Sequence, residues 1–177
     1  MILTRLFSTC EIIPHDRIIK KYNNDPISLG FFENEVKWYM RFDLNPHVPR
    51  RAPKLLDHSK DTLVLKYVGK SIKKEKIPVN FKNQLREIAS FLKSHQCRHC
   101  DITPSNLLIK KDKIYIIDFA FAVGLNQDPF QKWKNVEKSM LENLGGIYRA
   151  HDWPNDEYSL NKVYSVLTGK TDANLFS

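Results

Sequence analysis

The sequence predicts an α+β chain of two lobes, strands first and helices afterwards. Short apolar, β-branched runs recur up to Gly69, and amphipathic helical patterns take over from Asn80. Composition agrees: 177 residues, 42% hydrophobic and 27% charged, are ordinary globular usage and enough to bury one core.

Each element has its own signal. Residues 3–7 and 17–22 read as strands, the second built on Ile18-Ile19-Lys20-Lys21-Tyr22. From Ser28 to Phe42 the apolar residues Phe32, Val36 and Tyr39 recur at helical spacing, with Glu35 inside that stripe and Glu33 off it. A glutamate on a buried face wants a cation. Residues 53–57 and 61–69 form a strand pair running into a linker, and the lobe boundary is expected between Gly69 and Pro78, dividing a single domain of 1–177 into 1–69 and 78–177. From Asn80, a plausible N-cap, to Ser94 the residues Phe81, Leu85, Ile88, Ala89 and Leu92 share one helix face. Leu107-Leu108-Ile109 and Ile114-Tyr115-Ile116-Ile117 flank the polar Lys110-Lys111-Asp112-Lys113, which predicts a hairpin. Two further helices are expected, one opened by Asp128-Pro129 and closed by Gly145-Gly146, the other running from about Asp156 to Gly169.

A net charge of +8 favours polyanionic partners, among them nucleotide, phosphorylated sugar, acidic protein and RNA. No apolar run is long enough to cross a bilayer, and Met1 to Phe7 is too short for a signal peptide, so the expected location is the cytoplasm. Three cysteines in such a chain argue against a disulfide framework. Cys97 and Cys100, with His95 and His99 beside them, leave a zinc or redox site open as a minor alternative.

One stretch carries the chemistry. It runs His99-Cys100-Asp101-Ile102-Thr103-Pro104-Ser105-Asn106-Leu107-Leu108-Ile109, then through the predicted hairpin to Ile117-Asp118-Phe119-Ala120. Phosphoryl transfer needs a carboxylate near the attacking hydroxyl and oxygen ligands holding magnesium against the phosphates. Asp101 suits the first task; Asn106 and Asp118, brought together by the hairpin, supply the hard oxygen set that magnesium favours. Side chains of this kind also cap loops in proteins that do no chemistry, and it is the joint pattern that points to function. His99 reads as a structural residue of the loop.

The pattern H-x-D-x-x-x-x-N followed by Asp-Phe resembles the catalytic loop and metal-binding aspartate of the protein-kinase-like superfamily. The resemblance runs from about Ile18 to Ala122 and implies a kinase-like fold with a reduced helical C-lobe, ATP and Mg2+ as cofactors, and a hydroxyl-bearing acceptor on a saccharide or a protein. Lys20 would contact the phosphates, with Lys21 the alternative on the opposite strand face, and Glu35 would hold Lys20 in place. Leu65 would back the adenine pocket while the backbone of Lys66, Tyr67 and Val68 reads the base edge. The short tail, which lacks an A-P-E motif, is similar to the small atypical branch of lipopolysaccharide kinases, aminoglycoside phosphotransferases and KEOPS-associated kinases.

The chain departs from the common kinase pattern in two places. Ala120 stands where glycine is usual, and no glycine-rich loop precedes the lysine strand. Backbone amides and the hydroxyls of Ser8 and Thr9 could bind phosphate in a tight turn instead. The competing expectation is a noncatalytic kinase-like module that binds RNA or a protein through its basic surface.

Overall fold

The computed structural model describes residues 2–4 (backbone only), 6–150, 155–170 and 174–176. An antiparallel five-stranded sheet forms from β1 (Ile2–Thr4), β2 (Ser8–Ile13), β3 (Arg17–Tyr22), β4 (Leu55–Ser59) and β5 (Thr62–Lys66), in the order β1-β2-β3-β5-β4. Strand alternation decides which residues of β3 face inward: Ile18, Lys20 and Tyr22 are buried while Lys21 is exposed on the other face.

Helix α1 (Pro26–Asp43) covers the inner face of the sheet with Phe31, Phe32, Val36, Tyr39 and Phe42. It starts two residues before the predicted boundary because Asp25 caps the amides of Ile27 and Ser28 at 3.1 and 2.9 Å, with Pro26 pre-set in the first turn. After β5 the chain turns at Gly69, whose φ of +111° would strain any other residue. A Cβ there would lie 1.9 Å from the Ile109 carbonyl oxygen, so glycine lets the linker lie against the next sheet.

That second sheet consists of β6 (Lys70–Ser71), β8 (Leu107–Lys110) and β9 (Lys113–Ile116), in the order β6-β8-β9, and β7 (Cys97–Arg98) pairs separately with β10 (Val123–Gly124). Helix α2 (Phe81–Ser94) buries Phe81, Leu85, Ile88, Phe91 and Leu92. Asn80 precedes it but makes no side-chain cap; its Oδ1 accepts from Gln84 Nε2 at 2.7 Å. The last helix, α5 (Asp156–Thr168), stops at Gly169, whose φ is +73°, and stacks Tyr164 on Phe81 with ring centroids 5.7 Å apart. Among the described residues no helix is long and apolar enough to cross a membrane.

The predicted helix from Asp128 to Gly145 is broken. It forms only α3 (Pro129–Lys132) and α4 (Lys138–Asn143), with a turn between them and a 3-10 turn at Gly146–Tyr148. Burial of Trp133 and Val136 outweighs helix continuity. Trp133 packs on Phe31 at 4.8 Å and donates Nε1–H to the Phe121 carbonyl at 3.3 Å, so the chain bends to bring it inward. The hairpin needs no such revision. Leu107 pairs with Ile116 across β8 and β9, and Ile117 N–H bonds the Asn106 carbonyl at 3.0 Å.

Candidate active site

Lys20 stands between two carboxylates. Its Nζ lies 2.7 Å from Glu35 Oε2 and 2.8 Å from Asp118 Oδ1, and the lysine itself is only 6% exposed. Burial alone would lower its pKa; Asp118 and then Glu35 more than offset this and hold the ammonium well above the ordinary lysine value. Glu35, 1% exposed, gathers three donors: Lys20, the Tyr22 hydroxyl, and at 3.1 Å the Phe119 amide. Burial and the Glu35 charge push the Tyr22 phenol up, so it stays a donor. One side chain of α1 thus links the lysine strand to the segment that follows Asp118.

Asp101 and Asn106 form the second half. Asn106 lies in the 3-10 turn Pro104–Asn106, and its Nδ2 donates to the Asp101 carbonyl at 2.8 Å and to Asp101 Oδ2 at 3.0 Å. Asp101 Oδ1 accepts from the Gly145 amide at 2.9 Å. Burial, then the Asp118 charge, raises the Asp101 carboxyl above the 3.8 of an ordinary aspartate, partly countered by His99 and these hydrogen bonds. With both donors of its amide used, Asn106 leaves its buried Oδ1 with no hydrogen-bond partner among the described residues. An orphaned, inward-held amide oxygen is unusual, and a hard cation is the kind of partner that would satisfy it. The hairpin brings Asp118 to the same end of the site, with a φ of +69° that turns its side chain off the strand path.

Ser8 and Thr9 lie on β2, not in a tight turn. Register pairs Ser8 with Tyr22 and Thr9 with Lys21, so the Thr9 side chain is on the opposite sheet face from Lys20 and cannot join it on one phosphate. Ser8 shares the Lys20 face but is buried. Leu65 pairs with Ile18 on the inner face. In the linker, the Lys66 amide is bound to the Lys54 carbonyl at 2.8 Å and the Tyr67 amide to that of Asp16 at 3.0 Å, while Lys110 Nζ holds the Tyr67 carbonyl at 3.0 Å. Those two amides are therefore taken.

Cys97 and Cys100 are both buried, and burial pushes both thiols well up. His95 Nδ1 is bound to the Phe91 carbonyl at 2.8 Å. His99 Nδ1 accepts from the Asp101 amide at 3.3 Å, so its Nε2 donates to the Ile117 carbonyl at 2.9 Å, bracing the loop against the strand end. Among the described residues no group of three or more His, Cys, Asp or Glu is arranged to hold a metal ion.

Two supporting residues escaped the sequence reading. Asp156, in the first turn of α5, accepts from the amides of His99 and Cys100 at 2.7 and 3.1 Å and so holds Cys100 at a φ of +68° directly before Asp101. Asn34, beside Glu35 on α1, donates to the carbonyls of Phe119, Ala120 and Ala122 at 3.1, 2.9 and 2.9 Å. Trp38 Nε1 adds a bond to the Ala122 carbonyl at 3.1 Å. The segment in which Ala120 replaces glycine is therefore stitched down along its length. Replacing Asn34 with alanine is expected to cost roughly 2–4 kcal/mol, because buried carbonyls lose their donor. Equilibrium urea unfolding measures it.

A β-sheet lobe carrying an inward lysine, an overlying helix carrying its glutamate, and a loop and hairpin presenting Asp101, Asn106 and Asp118 together define a protein-kinase-like protein. Within that class the chain belongs to the RIO domain family, an atypical protein-kinase-like family whose model matches residues 15–133. The match takes in the whole set from Lys20 to Asp118 and ends at the buried Trp133. A comparison with curated proteins returned no match.

Proposed function

We propose that the chain is an ATP- and magnesium-dependent phosphotransferase acting on a hydroxyl acceptor, with residues 1–69 forming its nucleotide lobe and 78–177 its catalytic lobe. The observation that carries this reading is the pairing of an orphaned Asn106 Oδ1 with a Lys20 ammonium held between Glu35 and Asp118. Metal-free binding of a partner would need neither.

In this reading Lys20 neutralises phosphate charge and Glu35 fixes its position. Asn106 and Asp118 hold magnesium, which supplies a Lewis acid that offsets charge on the transferring phosphoryl group. Leu65 lines the adenine site and Val68 offers it a backbone donor. Asp101 orients the acceptor hydroxyl and takes its proton, held meanwhile by Asn106 and the Gly145 amide. The Gly145 amide on Asp101 Oδ1 puts the turn that begins at Gly145 beside the acceptor side. Saccharide and protein hydroxyls are both compatible with these groups.

Proton acceptance requires the ionised Asp101, whose carboxyl burial and Asp118 raise above 3.8. Activity is therefore expected to fall as pH drops through a pKa displaced upward from an ordinary aspartate, and kcat/KM against pH measures that limb. Binding is tested by thermal unfolding: ATP with magnesium at about 100 times its dissociation constant adds ~2.7 kcal/mol of stability. The absence of any shift would favour the noncatalytic module instead.

A further inference from the structure

We propose that the chain carries a second, noncatalytic anion site, selective for a dianionic phosphoryl group, between α1 and the turn after β10. A pocket of about 240 Å³ opens there, and among the described residues its charged lining consists of Lys37, Arg41 and Lys132, with no carboxylate. Trp38 and the amide side chains of Asn126 and Gln127 complete the part of the wall that matters to an anion. None of Lys20, Asp101, Asn106 or Asp118 lines it, so it is separate from the cleft.

The charges are arranged at a cost that a ligand would relieve. Lys37 and Arg41 are four residues apart on one helix, a spacing at which like charges repel. Among the described residues none of the three cations has a carboxylate partner. Lys132 is half-buried, and its Nζ donates to the Asn34 side-chain oxygen and, at 2.9 Å, to the Ala122 carbonyl. Burial and then Lys37 push its pKa down to about 8. The Arg41 guanidinium lies 5.3 Å over the Trp38 ring, which orients it.

Ligand size and charge follow from this wall. The volume is below that of pockets for drug-sized molecules, so a small group fits. Three cations around it, one of them a planar fork that matches phosphate oxygens, favour a phosphoryl dianion over a carboxylate. Its source is either free phosphate or a phosphoryl group carried on a larger molecule. Either reaches the same wall, and through Lys132 and Asn34 it touches the segment that follows Asp118.

The test is an amide NMR titration of the full chain with inorganic phosphate, and separately with phosphoserine, against chloride at equal ionic strength. Saturable shifts at the amides of Lys37, Arg41, Gln127 and Lys132 are expected with both, stronger with phosphoserine if the group arrives on a carrier. Both side chains changed in K37A/R41A are exposed, so that variant is expected to keep the wild-type spectrum away from the substituted helix face while binding phosphate about tenfold or more weakly. Shifts confined to the Lys20 cleft, no saturation beyond chloride, or unchanged affinity in K37A/R41A would each overturn the site.

Discussion

Replacing Glu35 with alanine is expected to lower the free energy of unfolding by about 3–5 kcal/mol, because it leaves a buried lysine ammonium without one of its two carboxylates. The Tyr22 hydroxyl and the Phe119 amide lose their acceptor in the same step. Function should fail before stability does. Without Glu35, Lys20 pairs with Asp118 alone, which ties the lysine and that aspartate into a single salt bridge. Guanidinium unfolding, with phosphate transfer followed below the transition, separates the two losses. A variant that unfolds like wild type and still transfers phosphate would show that the pair is ornamental.

The second large effect is catalytic. Asp101→Ala is expected to reduce kcat by about 10²–10⁴-fold, the usual contribution of a positioned general base. The KM for ATP should change little, since the Asp101 side chain does not touch Lys20 and Asn106 keeps its bond to the Asp101 backbone carbonyl. Loss of the acid limb of the pH profile should accompany the drop. Steady-state kinetics across pH report both, and a variant that keeps the limb would move the base to another residue.

How far these groups could be read from sequence depended on how local their signals are. Asp101, Asn106 and Asp118 lie in one stretch whose spacing resembles the kinase-like pattern, and the hairpin residues between them carry their own strand and turn signals. Lys20 could be preferred to Lys21 because strand alternation is a local rule, and the apolar neighbours mark the inner face. Asn34 and Asp156 were invisible for the opposite reason. Each acts on backbone groups distant in sequence, Asn34 on residues 119–122 and Asp156 on 99–100, and no residue pattern records such a contact. Thr9 was misplaced because the register of β2 on β3, and not composition, decides its face. The broken helix after Asp128 failed similarly: its apolar residues have helical spacing, but Trp133 is drawn inward against Phe31 and Phe121, a tertiary pull that local propensity does not contain.

Turnover of ATP with magnesium at this site is measured most directly as magnesium-dependent release or transfer of the γ-phosphate by wild type and Asp118→Ala side by side. Wild-type activity is expected to disappear when magnesium is chelated and to fall by at least about 10³-fold in the variant, the scale on which charge-stabilising groups act in phosphoryl transfer. Equal turnover by the two proteins, or none by wild type under conditions where ATP with magnesium also fails to stabilise its fold, would contradict the assignment.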